Sequence, residues 1–97
     1  MFLKLNKDER TVETLSGNRY LTKKEYEILE YLMDREGQYM PAEEIYADVW
    51  QAEPFDCRSV IAVHIRHIRE KIEINPAEPR YLKVVWGQGY KMESDMR

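Results

Sequence analysis

Residues Ser59 to Ile72 read SVIAVHIRHIREKI, and two apolar patterns share this one stretch. Ile61, Ile65, Ile68 and Ile72 recur at steps of four, three and four, a continuous stripe on a helix of 3.6 residues per turn. That stripe is expected in a core. A rotation of about 100° per residue gathers Ser59, Ala62, Val63, Arg66, His67 and Glu70 on the opposite side. A face kept only for solvent rarely mixes cations with a bare valine. Arginine and histidine donate to phosphates and base edges while small apolar side chains meet thymine methyls, so the mixture fits a helix lying in a DNA major groove.

The chain of 97 residues is expected to form a single domain over 1–97. That length buries roughly 60–70% of the unfolded chain's surface in one core. Cys57 is the single cysteine, which excludes an internal disulfide. No apolar run reaches membrane-spanning length and no signal-peptide pattern is present, so a reducing cytoplasmic setting is expected. The formal net charge of -3 argues at first against a nucleic-acid partner. Its distribution reverses that reading. Residues 25–56 hold ten acids against Arg35 alone, a net of -9, whereas residues 57–91 hold seven Lys or Arg against three Glu, a net of +4. The positive part contains the two-faced helix.

Outward from that helix, Phe2–Leu5 and Arg10–Thr14 alternate apolar with polar residues around a Lys7-Asp8-Glu9 turn. Ser16-Gly17-Asn18 marks a second turn before Tyr20-Leu21, so this region reads as short antiparallel strands. Thr22 with Glu25 three residues on makes a capping box for a first helix, whose apolar face runs through Tyr26, Leu29 and Leu32 until Gly37. Pro41 suits the first turn of a second, shorter helix with Ile45, Val49 and Trp50 inward. Gln51–Phe55 is a loop. The third helix should run from Asp56 or Arg58 to Ile74 and stop before Asn75-Pro76. Tyr81–Trp86, a Gly87-Gln88-Gly89 turn and Tyr90–Met92 form a closing hairpin, and Glu93–Arg97 a frayed end. The expected fold is α+β: a winged helix-turn-helix with an N-terminal antiparallel sheet, three helices and a C-terminal β-hairpin wing.

In this order and spacing the residues resemble the C-terminal effector domains of OmpR/PhoB-type two-component response regulators. The matching pieces are Leu21–Tyr26, Gly37-Gln38, Val49-Trp50, Val63–Ile72 and Tyr81–Tyr90. The HIRHIREKI run and the VWGQGYK wing are most similar to the vancomycin-resistance-type subgroup. The resemblance implies a four-stranded N-terminal sheet, three helices and a wing. It also implies sequence-specific binding of double-stranded promoter DNA as a dimer on direct repeats. Further, it implies an N-terminal receiver domain, phosphorylated by a sensor kinase, that controls dimerisation. That domain is absent here, so the chain is expected to be an excised piece or a stand-alone effector. In two places the chain departs from the family: Ser59 stands where an arginine often opens the recognition helix, with Arg58 one residue early, and Trp86 stands where many members carry a basic residue.

The candidate DNA contacts are therefore Arg66 and His67 on bases and phosphates, Val63 on an apolar base edge, and Ser59 and Arg58 at the helix start. On the wing they are Lys83 and Lys91 as phosphate clamps, and Trp86 through its indole N–H or its ring over a sugar. Arg69 and His64 flank the core stripe, a position that suits a phosphate contact or a structural hydrogen bond. Glu53, Phe55 and Asp56 fall where family members touch RNA polymerase, and equally suit a plain connecting loop. Cys57, His64 and His67 fall short of a tetrahedral metal set, so no metal or cofactor is expected. No nucleophile, base and orienting group form a motif, so an enzyme is not expected. The alternative function is a protein-interaction module that has lost DNA binding and holds RNA polymerase or another basic partner on Glu43, Glu44, Asp48 and Glu53.

Overall fold

Each helix starts and stops for reasons visible in its own residues and in what it packs against. The computed structural model describes residues 3–93. The helices are α1 (Lys23–Asp34), α2 (Ala42–Trp50) and α3 (Arg58–Ile72); β1 (Lys4–Asn6), β2 (Thr11–Thr14) and β3 (Gly17–Tyr20) precede them, and β4 (Leu82–Val85) and β5 (Gly89–Met92) follow. This is the α+β winged helix-turn-helix read from the sequence.

The capping box of α1 forms as expected. The Glu25 N–H donates to Thr22 Oγ1 at 3.2 Å, and the Thr22 N–H donates to Glu25 Oε1 at 3.0 Å. Tyr26, Leu29 and Leu32 are buried, joined by Ile28 and Tyr31. Pro41 lies one residue earlier than expected, at the N-cap of α2, where its extended backbone lets its carbonyl accept from the Glu44 and Ile45 N–H groups. Ile45 is fully buried, while Val49 and Trp50 pack partly buried against the core. All four isoleucines of the α3 stripe are buried. Burying a side chain of that size contributes roughly 1.5–3 kcal/mol, so the stripe is a main anchor of α3.

α3 ends at Ile72, two residues before the expected Ile74. The cause is Glu73, whose buried carboxylate accepts the backbone N–H groups of Arg80, Tyr81 and Leu82 at 2.7–3.3 Å. Turning inward to reach them takes Glu73 out of helical geometry, and its backbone is extended. A buried carboxylate that satisfies three amides of the segment entering β4 thus sets the spacing between α3 and the wing.

The N-terminal sheet among the described residues has three antiparallel strands in the order β1-β2-β3, one fewer than the family resemblance implies. Leu5 pairs with Val12, and Thr11 with Tyr20. Phe2, expected in the first strand, and Ser94–Arg97 of the expected frayed end lie outside the described residues. The turn expected at Ser16-Gly17-Asn18 is instead Leu15-Ser16, with Gly17 and Asn18 already in β3. Thr14 causes the shift: its hydroxyl donates to the Gly17 carbonyl at 2.9 Å and accepts the Ser16 N–H at 3.1 Å, closing the loop one residue early.

The β4–β5 hairpin pairs Lys83 with Lys91 and Val84 with Tyr90. Its base is fastened to the segment before α2, because Met40 and Tyr90 exchange both backbone hydrogen bonds, at 2.8 and 2.9 Å. The approach is close enough to require glycine next door. A Cβ on Gly89, which has φ +117°, would stand 2.2 Å from the Met40 carbonyl oxygen. The wing therefore projects from a fixed base beside the N-terminus of α3.

Candidate nucleic-acid interface

The outward face of α3 presents what its sequence promises. Ser59, Ala62, Arg66 and Glu70 are exposed, and Val63 is 44% exposed. His67 is half-buried at the edge of this face, its Nδ1 3.8 Å from Glu25 Oε2. Glu25 is only 4% exposed, and its other oxygen takes the Lys71 ammonium at 2.6 Å. Burial alone would raise the Glu25 carboxyl. The hydrogen bonds from Lys71 and the Thr22 backbone, with the charges of Lys71 and His67, outweigh burial and hold it below its ordinary value. One carboxylate thus caps α1 and ties α3 to it.

His64 and Arg69, left between two roles by the sequence, both make structural hydrogen bonds. His64 Nδ1 stands 2.7 Å from the Val60 carbonyl oxygen, and since a carbonyl only accepts, this nitrogen carries the proton. The imidazole also meets the Trp50 ring edge-on at 5.3 Å, and Trp50 in turn stacks on Tyr46 at 4.7 Å. Arg69 Nε donates to the Leu82 carbonyl at 2.9 Å, joining α3 to β4. Burial lowers the Arg69 pKa against the opposing pull of Glu73 and Tyr90.

The remaining candidate cations carry carboxylate partners. Arg58 Nε donates to Glu43 Oε2 at 2.6 Å across the α2–α3 gap, and this hydrogen bond holds the Glu43 carboxyl low. Lys83 and Lys91 share Glu93 at 3.0 and 2.8 Å, and Lys91 also sits 4.5 Å above the Tyr39 ring. The hydrogen bonds from Lys91 and Lys83, with their charges, hold the Glu93 carboxyl low. Glu93, Tyr39 and Lys71 are residues that sequence reasoning missed at the interface, and Glu43, read there only as a surface acid for a basic partner, is the partner of Arg58. Apart from Lys91 with Glu93, two residues apart, their contacts join distant points of the chain or cross strands, and no local pattern announces those.

Trp86 stands at the wing tip, 95% exposed. A groove of about 370 Å³ runs between the wing and α3 and brings Trp86 and Val84 into one surface with Arg58, Ser59 and Ala62. Glu53, Phe55 and Asp56 are exposed on the α2–α3 loop and do not line this groove, with Phe55 at 86% and Asp56 in left-handed geometry at φ 56°. Cys57 is buried with its thiol facing the Ala42 and Pro54 carbonyls, and His64 and His67 turn to different partners. Among the described residues, no three His, Cys, Asp or Glu side chains are grouped to hold a metal, and no helix is long and apolar enough to cross a membrane.

Residues 16–92 match a family model described as "Transcriptional regulatory protein, C terminal". The chain is 47% identical over 73 residues to the "DNA-binding dual master transcriptional regulator RpaA" of Synechocystis, a match covering 75% of this chain and 30% of that protein. It is 40% identical over 74 residues to the regulatory protein VanR of Enterococcus faecium, covering 75% and 32% respectively. The response regulator DrrB of Thermotoga maritima, described as an OmpR/PhoB homolog, superimposes with a TM-score of 0.81 at 32% identity, over 97% of this chain and 42% of that one. The chain accordingly spans about a third of the length of these curated relatives.

Proposed function

The chain belongs to the family of C-terminal effector domains of OmpR/PhoB-type transcriptional regulators, and on that premise we propose that it binds double-stranded promoter DNA sequence-specifically. α3 lies in the major groove, with Arg66, His67 and Val63 toward base edges and phosphates and Ser59 near its entry. The wing reaches the adjacent minor groove or backbone with Lys83, Trp86 and Lys91. The observation that carries this reading is the exposed Ser59–Ala62–Val63–Arg66 face, which opposes a fully buried isoleucine stripe and adjoins the wing across one groove. RpaA, 47% identical, is itself named a DNA-binding regulator.

Arg58, His64 and Arg69 act in this reading mainly by holding α3 to α2 and to the wing. For Arg58 to reach a phosphate it must first leave Glu43. The finer assembly follows the family: a dimer on direct repeats, a receiver domain answering to a sensor kinase in the longer protein, and a cytoplasmic setting. The exposed loop residues Glu53, Phe55 and Asp56 are offered to an RNA polymerase subunit. No enzymatic step is assigned. A module that binds a basic protein in place of DNA is the weaker reading, because two of its acids are engaged internally: Glu43 by Arg58 and Asp48 by the Tyr31 hydroxyl at 2.6 Å.

Selection of bound duplexes from a random pool, followed by footprinting, tests the proposal. A recovered consensus with protection over adjacent major and minor grooves is the expected result. Recovery of no consensus, together with no protection of any DNA and co-purification of a polymerase subunit, would favour the protein-binding reading.

A further inference from the structure

We propose that Glu25, from α1, fixes which nitrogen of His67 carries the proton and so sets the base edge that His67 reads. The inference rests on the DNA-binding reading and adds a specificity-determining residue that lies outside the recognition helix. Three observations lead to it. The first is the contact itself. His67 Nδ1 lies 3.8 Å from Glu25 Oε2, longer than a hydrogen bond yet close for a full charge. Glu25 is 4% exposed and its carboxyl titrates below its ordinary value, so it is ionised at neutral pH. A bare nitrogen lone pair aimed at a buried anion is repelled, whereas an N–H is attracted. Nδ1 therefore carries the proton, in neutral imidazole and in imidazolium alike.

The second observation is what remains for a ligand. The His67 side chain is 42% exposed on α3, and with Nδ1 turned to α1 the far nitrogen, Nε2, is the polar atom offered to the groove. In neutral imidazole it is then an acceptor only. A major-groove acceptor pairs with the exocyclic amines at adenine N6 or cytosine N4 and is repelled by the O6 and N7 acceptors of guanine. Arg66, one residue earlier, carries donors only, so the two neighbours read opposite patterns.

The third observation is how firmly the carboxylate is held. Glu25 Oε1 takes the Lys71 ammonium at 2.6 Å and the Thr22 N–H at 3.0 Å, two donors on one oxygen. The carboxylate cannot turn away from His67 without losing both, so Oε2 stays aimed at the imidazole. The same arrangement gives Glu25→Gln a direction. The amide oxygen must keep the Oε1 place to serve Thr22 and Lys71, which puts the amide NH2 in the Oε2 place, against His67. Nδ1 must then accept, and the proton moves to Nε2. One substitution of unchanged shape thereby turns His67 from an acceptor into a donor toward DNA.

The test combines selection of duplexes from a random pool with imidazole NMR, both at about pH 8, where histidine side chains are neutral. The base pair at which His67→Ala loses preference is the one that His67 reads. There the parent should favour adenine or cytosine over guanine by about five- to tenfold, and Glu25→Gln should shift the preference to guanine. Lys71→Met breaks the same tie between α1 and α3 but leaves the carboxylate facing His67, so it should keep the parent's preference. A merely structural role for Glu25 would move both variants alike. Nitrogen-15 shifts, which separate a protonated ring nitrogen from a bare one, should show the proton on Nδ1 of His67 in the parent and on Nε2 in Glu25→Gln. His64, the other histidine, keeps its proton on Nδ1 against the Val60 carbonyl in both and serves as the internal reference. The parent's own spectrum decides where the proton sits even if a variant is too unstable to select DNA. The proposal is overturned if the parent carries the proton on Nε2, if Glu25→Gln keeps the parent's base preference, or if Lys71→Met shifts that preference equally. It is likewise overturned if His67→Ala relaxes no position of the selected site. A parent that selects no duplex overturns the DNA-binding reading itself, a separate outcome.

Discussion

Replacing Glu25 by glutamine removes one negative charge from a place where three segments depend on it. The carboxylate accepts the Thr22 N–H at 3.0 Å, takes the Lys71 ammonium at 2.6 Å and faces His67 at 3.8 Å. Glutamine keeps the shape, and its amide oxygen still accepts from Thr22, so the loss is that of the charge-assisted contact with Lys71. Hydrogen bonds to charged groups contribute about 1.5–3 kcal/mol each. Lys71 is partly exposed, so solvent screening reduces this to about 1–2 kcal/mol for Glu25→Gln near pH 7. Glu25→Ala also removes half of the capping box, at a further cost of about 1 kcal/mol. The pH dependence has a definite sign. The folded carboxyl titrates below its ordinary value of 4.5, so its stabilisation is fully present above that value and is lost as pH falls through the lower, folded pKa. Urea unfolding of the parent and Glu25→Gln should thus show a gap at pH 7 that closes on acidification below about pH 4. A Lys71→Met background should shrink the gap at neutral pH. Equal stability of the two proteins at pH 7, or a gap that widens in acid, would refute the assignment of Glu25 as the link between α1 and α3.

Further expectations concern the core and the wing. Ile65→Ala, which empties part of the fully buried stripe, should cost about 2–5 kcal/mol in urea unfolding, and a cost under 1 kcal/mol would mean α3 is not anchored there. Gly89→Ala places a Cβ against the Met40 carbonyl and should destabilise by about 1–3 kcal/mol, with faster hydrogen exchange at the Met40 and Tyr90 amides. Retained protection at both would contradict the described pinning. Glu73→Ala strands three backbone N–H groups and should cost about 2–4 kcal/mol, loosening the segment from Arg80 to Leu82 first. Unaltered exchange in that segment would show that another group satisfies it.

Much of this fold is legible in the sequence because its strongest signals are local. The isoleucine stripe of α3 and the Thr22–Glu25 box each announce an element within a few residues and are found where expected; the wing turn falls one residue early, at Trp86-Gly87-Gln88, with Gly89 already in β5. The misplacements arise from contacts between segments far apart or from side chains that bond unusually. α3 stops at Ile72 because Glu73 reaches residues 80–82. The β2–β3 hairpin closes early because Thr14 bonds its own turn. At the interface, charge segregation and the two-faced helix identify the surface, but not which cations are already partnered. Arg58 with Glu43 and Lys83 with Glu93 are tertiary or cross-strand contacts that periodicity does not encode, whereas Lys91 with Glu93 is a local pair two residues apart.

The central claim, that the exposed face of α3 reads DNA, is met most directly by titrating a selected duplex with the parent and with Arg66→Ala across a range of salt concentrations. Arg66 is exposed and outside the buried stripe, so its removal leaves the fold intact. Affinity of the parent should fall with salt by a log-log slope near 0.9 per phosphate contact, and Arg66→Ala should weaken specific binding by about 1–3 kcal/mol while binding to unrelated DNA alters far less. Salt-independent binding, or an Arg66→Ala protein with the parent's affinity for the selected site, would contradict it.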